Sequence, residues 1–268
     1  MATIEKNRRI WNEWKETGDE WAAAWGGTDM EWYFTILSRI HAFVPTETIL
    51  EIAPGHGRWT RFLAPLCKKL VLVDLSEECI KICKETFKTC SHITYHVNDG
   101  KSLDMIPDDS IDFVFTFDSL VHAEEDVIEA YCNQLAKKLK KNGIGFIHHS
   151  NIGHYKFHFY LSQKIPQCII KNILIKLGIV EPGDHLRAYS MTANKFRHYA
   201  ERAGLQCISQ EMFNWGETKR LIDCISVFTR KGSSKMRQSR IVSNKNFMRE
   251  VNHIRYLSDL YGERQLKW

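Results

Sequence analysis

No Cys-x-x-Cys pair occurs among the eight cysteines, which stand at 67, 79, 83, 90, 132, 168, 207 and 224. That argues against a structural zinc cluster and against a thioredoxin-type motif. A chain of 268 residues buries a core without staples, so the cysteines read as reduced thiols. No stretch approaches the roughly 18 uncharged apolar residues of a membrane span. The most apolar candidate, Ile165 to Val180, is interrupted by Lys171 and Lys176. Met1 to Lys15 has no apolar core of a secretory signal, and the expected location is cytoplasmic. Internal repeats and low-complexity tracts are missing too. A hydrophobic share of 44% with 26% charge excludes general disorder and a collagen-like chain. The length allows one large domain with appendages.

The net charge of +5 is unevenly placed. From Arg230 to Trp268 ten Lys/Arg face three acids, a net +7, whereas residues 1–229 hold 27 basic and 29 acidic residues. The basic character therefore belongs to a C-terminal tail, 231–268, and not to the main domain. Residues 1–44 form an aromatic-rich, helical arm in which Trp11, Trp14, Trp21, Trp25, Trp32 and Tyr33 crowd together. This arm packs on the main domain or closes as a lid over a pocket.

Residues 45–230 alternate strand and helix. Apolar strands are expected at 48–53, 70–74, 93–97, 111–117 and 144–149. Helices are expected at 59–67, at 76–87 behind Ser76 as N-cap, and from Glu124 to Lys140 with Asn142-Gly143 as its C-cap signal. Strands 205–213 and 221–229 flank a short loop around Gly216 and are expected to pair antiparallel. The fold class is α/β, a Rossmann-like doubly wound sheet, mostly parallel with an antiparallel C-terminal hairpin. Residues 151–189 interrupt the rhythm as an aromatic insert on the acceptor side.

The informative stretch is Glu51-Ile-Ala-Pro-Gly55-His-Gly57-Arg58-Trp59, a strand entering a small-residue turn before a helix. Gly55 and Gly57 let backbone approach a ligand, and a helix N-terminus adds oriented N–H groups. Asp74 lies 19 residues after Gly55, at the end of the next strand, where a carboxylate accepts from ribose hydroxyls. A dinucleotide site would want a third glycine where Thr60 stands, which disfavours an NAD-type oxidoreductase. Glu51 would repel a pyrophosphate but attract an ammonium or sulfonium, which favours S-adenosylmethionine.

On these residues, 48–149 resembles the class I S-adenosylmethionine-dependent methyltransferases. Ala53 stands where the family's first glycine often is, and the likeness extends over roughly 45–230 with the closing hairpin. The resemblance implies a cofactor shell of Glu51, Ala53, Gly55, Gly57, Asp74 with Leu75 beside it, Asp99 and Gly100 at the adenine, and Asp118 and Ser119 at the methyl end.

Histidines leave the expected carboxyl ends of the strands, at 122, 148, 149 and 154. Methyl transfer to a hydroxyl needs a base, and imidazole titrates near working pH, so His149 and His122 are the base candidates. Neighbours on a strand point to opposite faces, so one of His148 and His149 should meet the pocket. His148 and Arg187 are candidates for contacting the acceptor, Arg187 as a bidentate clamp. His122, His148, His149 and Asp118 lack a fixed metal-ligand spacing, and no metal is expected. The expected acceptor is a small molecule, a hydroxyl of a sugar or glycan precursor. Nucleic-acid modification, suggested by the basic tail, is set aside because the main domain is mildly acidic and strand four ends in Asp118-Ser119-Leu120-Val121. The insert aromatics fit a cap core, a sugar platform or a homodimer contact, and 164–178 has some character of a membrane-surface helix.

Overall fold

The computed structural model describes residues 3–166, 169–177, 179–180, 186–216 and 218–262. Eight strands form one sheet in the order β3-β2-β1-β4-β5-β7-β6-β8. They are β1 (Thr46–Ile52), β2 (Cys67–Asp74), β3 (Ile93–Val97), β4 (Ile111–Thr116), β5 (Leu139–Ser150), β6 (Leu205–Phe213), β7 (Asp223–Arg230) and β8 (Arg240–Asn244). The first five run parallel; β7 is antiparallel to both β5 and β6, and β8 lies parallel to β6. The apolar runs Ile49–Ile52 and Leu70–Val73 are buried because helices cover both faces.

The helices are α1 (Ile4–Glu13), α2 (Thr28–Glu31), α3 (Leu37–Ile40), α4 (Thr60–Leu63), α5 (Glu77–Thr86), α6 (Glu125–Lys138), α7 (Lys156–Lys164), α8 (Ile169–Lys176), α9 (Ala193–Arg202) and α10 (Phe247–Tyr261). A π turn, Trp32–Ile36, joins α2 to α3, and Asp19–Trp25 is a 3-10 helix. Ser76 caps α5 by accepting from the Cys79 N–H at 3.1 Å, as its sequence position suggests. On one sheet face Trp25, Trp32, Ile36 and Ile40 of the arm pack with Leu63, Ile80, Phe115 and Phe146. On the other, Ile128, Tyr131 and Leu135 of α6 meet Phe196 and Ala200 of α9. Trp25, Trp32, Ile36 and Ile40 are thus core, and within the arm α1 stands apart with no buried residue of its own.

Two expectations are corrected here. Helix α6 stops at Lys138, and Asn142-Gly143 lies within β5 rather than capping a helix. The glycine serves close approach: a Cβ at Gly143 would come within 2.8 Å of the Ile111 carbonyl oxygen. Residues 231–262 of the basic segment are folded in rather than a tail, and 263–268 lie outside the described residues. The folded part adds β8 to the sheet edge, and α10 buries Phe247 and Val251 against Trp25 and Trp215. Charge predicted an appendage; the apolar positions at helical spacing inside it decided otherwise. The seven cysteines among the described residues form no disulfide, and Cys168 lies outside them. Among the described residues no helix is long and apolar enough to cross a membrane.

Candidate active site

At the carboxyl end of β1 the chain takes three positive φ angles, Ala53 at 57°, Gly55 at 58° and Gly57 at 88°. The two glycines do different things. A Cβ on Gly55 would meet nothing within 4 Å, so this backbone is open to a ligand. A Cβ on Gly57 would strike the Phe87 ring at 2.5 Å, so this glycine lets the turn seat against that ring. Asp74 ties the turn to the next loop, its Oδ2 accepting from the Gly55 N–H at 3.1 Å and its Oδ1 from the Ser76 N–H at 2.8 Å. Burial pushes its carboxyl up to about 6, although those N–H groups oppose the rise. Glu51 sits beneath the turn and lines neither cavity described below. Its Oε2 accepts from the Thr60 hydroxyl at 2.7 Å, and burial raises its pKa to about 8.

Two cavities open off this turn. The narrow one, about 80 Å³, is lined by Ala53, Gly55, Asp74, Leu75, Gly100, Ser119, Val127 and Tyr131. Helix α1 roofs it with Ile4, Asn7 and Trp11, fastened where the Ser76 hydroxyl donates to Asn12 Oδ1 at 2.6 Å. Asp99 is absent from this wall. It is exposed, and its Oδ1 accepts from the N–H groups of Lys101 and Ser102 at 2.8 and 2.6 Å, so the proposed adenine contact is corrected to a local turn. Asn98 is buried and holds the loop by donating to Ser102 O and accepting from the Gly100 N–H.

The wide cavity, about 280 Å³, has five indoles in its wall, those of Trp11, Trp14, Trp21, Trp59 and Trp215. Its polar groups are Thr17, His56, Arg58, Asp118, Ser119, His122 and Arg187. Trp14 Nε1 and His56 Nε2 are buried and take no hydrogen bond among the described residues. The charges behind the wall are paired. Arg187 Nε and Nη2 grip Asp223 at 2.9 and 3.0 Å, so its fork is not aimed at an acceptor as the sequence reading had it. Burial alone would raise Asp223; the charge of Arg187 outweighs it and holds the carboxyl well below the usual range. Arg58 pairs with Glu31, which burial nonetheless pushes up to about 8. Asp118, with φ 59°, lies 3.6 Å from Arg58 Nη1 and 3.8 Å from Arg187 Nη2.

The histidines separate sharply. His149 lies on neither cavity. It is fully buried, stacked on Phe196 at 4.4 Å, with Nδ1 donating to Ser150 O and Nε2 accepting from the Ser226 hydroxyl at 2.8 Å. Burial lowers its pKa to about 4, and its assignment as base is corrected to a core residue. His148 points to the opposite face but is also sealed, among Phe117, Phe213 and Trp215. Its Nδ1 accepts from the Asp118 N–H at 3.0 Å, so it supports the site without touching the cavity. His154 is exposed. His122 alone of these lines both cavities. Its Nδ1–H donates to the Leu186 carbonyl, which leaves the lone pair on Nε2. Burial, and then the charge of Arg187, lower its pKa.

Sequence reasoning missed Arg58, Tyr131, Trp215, Glu31 and Asp223. A signal existed for the last, one acid inside the apolar run Leu221–Phe228. For Glu31 and Tyr131 no local signal existed, because their partners are far along the chain.

A family model described as a methyltransferase domain matches residues 49–143. Ribosomal RNA small subunit methyltransferase A of Coxiella burnetii is 32% identical over 69 residues, and the match spans 26% of this chain and 26% of that protein's length. A S-adenosylmethionine-dependent methyltransferase from Leishmania major superposes with a TM-score of 0.57 at 10% identity, covering 84% of this chain and 82% of that one. The N-methyltransferase NodS from Bradyrhizobium japonicum, solved with S-adenosylhomocysteine, gives 0.53 at 14% identity, covering 86% of this chain and all of that one. The narrow cavity suits the nucleoside of such a cofactor, with open backbone at Gly55, a buried carboxylate at Asp74 and apolar walls at Leu75 and Val127. Residues 49–143 thus match a methyltransferase domain, and the fold built around them is shared with these solved methyltransferases.

Proposed function

We propose that this protein transfers the methyl group of S-adenosylmethionine to a hydroxyl of a small polar acceptor, a sugar or glycan precursor. The observation that carries this reading is His122, placed on the wall shared by both cavities with its tautomer fixed. When bound, the cofactor supplies an electrophilic methyl on a sulfonium. Asp74, Leu75 and Gly55 hold the nucleoside end, and Ser119 and Asp118 border the methyl end. The acceptor lies in the wide cavity. Its hydroxyl proton passes to His122 Nε2 as the oxygen attacks, and the Leu186 carbonyl keeps the ring oriented as it becomes charged. Indole faces offer stacking to the apolar face of a sugar ring, while Trp14 Nε1 and His56 Nε2 are buried groups in want of a polar partner. Helix α1, which roofs the narrow cavity, acts as a lid that excludes water.

Titration calorimetry with S-adenosylmethionine, its demethylated product and NAD tests the cofactor. Transfer of a labelled methyl group to a panel of free and nucleotide-linked sugars tests the acceptor. Binding of NAD without binding of the methyl donor overturns the reading. So does label that enters only polynucleotide, or only amines.

A further inference from the structure

The aromatic insert shows an inverted helix. In α7, Phe159 and Ser162 are buried, whereas Phe157, Tyr160 and Leu161 are exposed at 73%, 55% and 46%. With Lys164 these follow i, i+3, i+4, i+7 spacing, a continuous apolar stripe that faces solvent. The next helix repeats the pattern, with Ile173 exposed at 52% and Leu177, just past α8, at 64%. Solvent-facing apolar residues at helical spacing in two consecutive helices mark an interaction surface.

Its charge decides the partner. Residues 151–180 hold no Asp or Glu and four lysines, 156, 164, 171 and 176, of which Lys171 is buried. Lys156 and Lys164 flank the stripe on α7 and are exposed. Lys164 Nζ sits 5.3 Å from the Tyr160 ring centroid, the arrangement of an interfacial side chain with a polar tip and an apolar body. Against a second copy of itself, an isologous contact would set lysines on lysines with no acid to answer them. An anionic lipid surface answers both features at once: acyl boundary for the apolar stripe and headgroup charge for the lysines.

We infer that α7 and α8 dock the protein on the surface of an anionic lipid bilayer, lying in the interface without spanning it. The buried face of α7 packs beside the wall of the wide cavity. Leu186 lines that cavity and precedes Tyr189, which packs on Phe159 with ring centroids 6.2 Å apart and accepts from Gln163 of α7.

The test is co-sedimentation of the full chain with vesicles of mixed phosphatidylglycerol and phosphatidylcholine, set against phosphatidylcholine alone. Binding to the mixed vesicles, and its loss with added salt, are expected. The triple variant Phe157→Asp, Leu161→Asp, Leu177→Asp and the pair Lys156→Gln, Lys164→Gln should each weaken it by about tenfold or more. Both variants should keep wild-type affinity for S-adenosylmethionine, since none of these side chains lines either cavity. Equal binding to both vesicle types, or no binding to either, overturns the inference. So does a concentration-dependent dimer by light scattering that the triple variant dissolves, which would assign the stripe to a second copy.

Discussion

The two halves of the cleft are built on different principles. The half under β1 to β3 draws on one short stretch of chain: a turn with positive φ, an acid one strand further on, and N–H groups 19 residues before and two residues after the carboxylate they reach. The half under β5 and β7 is assembled from distant positions. Arg187 grips Asp223 36 residues away, and His148 holds the Asp118 backbone from 30 residues on. Local parts shape a site with backbone and tolerate change elsewhere. Distant charged parts exist only when the whole domain is folded, and each depends on its partner.

If that division is right, substitutions on the two sides should move different observables. The largest effect is expected at His122, where the halves meet. His122→Ala should lower turnover by about 10²–10⁴-fold while donor affinity stays near wild type. A matching loss of donor affinity would make His122 a wall of the cofactor half instead. Next is Asp223→Asn, which removes the carboxylate charge 2.9 and 3.0 Å from the buried Arg187 guanidinium and leaves Asp118 at 3.8 Å. The expected cost is about 3–5 kcal/mol of stability, read by urea unfolding. Asp74→Asn, also at a buried carboxylate but with backbone donors and no arginine, should cost clearly less. Equal costs would erase the distinction drawn here. In exchange, Asp74→Asn should weaken the donor by about tenfold to a hundredfold, with turnover at saturation little changed.

The same contrast explains what could be read from the chain. The strand, turn and helix from Thr46 to Leu63 and the Ser76 cap follow from neighbours in sequence, and Asp74 beside Gly55 follows from the ends of two consecutive strands. The pair His148-His149 shows where local rules stop. Alternation correctly put them on opposite faces, but each face is covered, by Phe196 of α9 on one side and by Phe213 and Trp215 on the other. Nothing near residue 148 announces Trp215. The reading of residues 231–262 failed the same way, since their charge is visible locally but the aromatic surface of Trp25, Phe213 and Trp215 on which Phe247 packs is not.

The smallest effect, and the finest separation, is in pH dependence. His122 must be neutral to take a proton, and burial with the charge of Arg187 keeps its pKa below the ordinary 6.5. Turnover at saturation therefore holds as pH falls to 6.5 and declines only below it. Asp74 is displaced the other way, raised by burial to about 6. Only its ionised form can accept from ribose hydroxyls while holding Gly55 and Ser76. The donor KM should thus climb as pH drops through that value, by about tenfold near pH 5, whereas an ordinary aspartate would delay the climb to about pH 4. Asp74→Asn should abolish the KM limb and leave the turnover limb in place. One shared limb in both parameters would mean that a single group governs the cleft, and the two halves would not be separable.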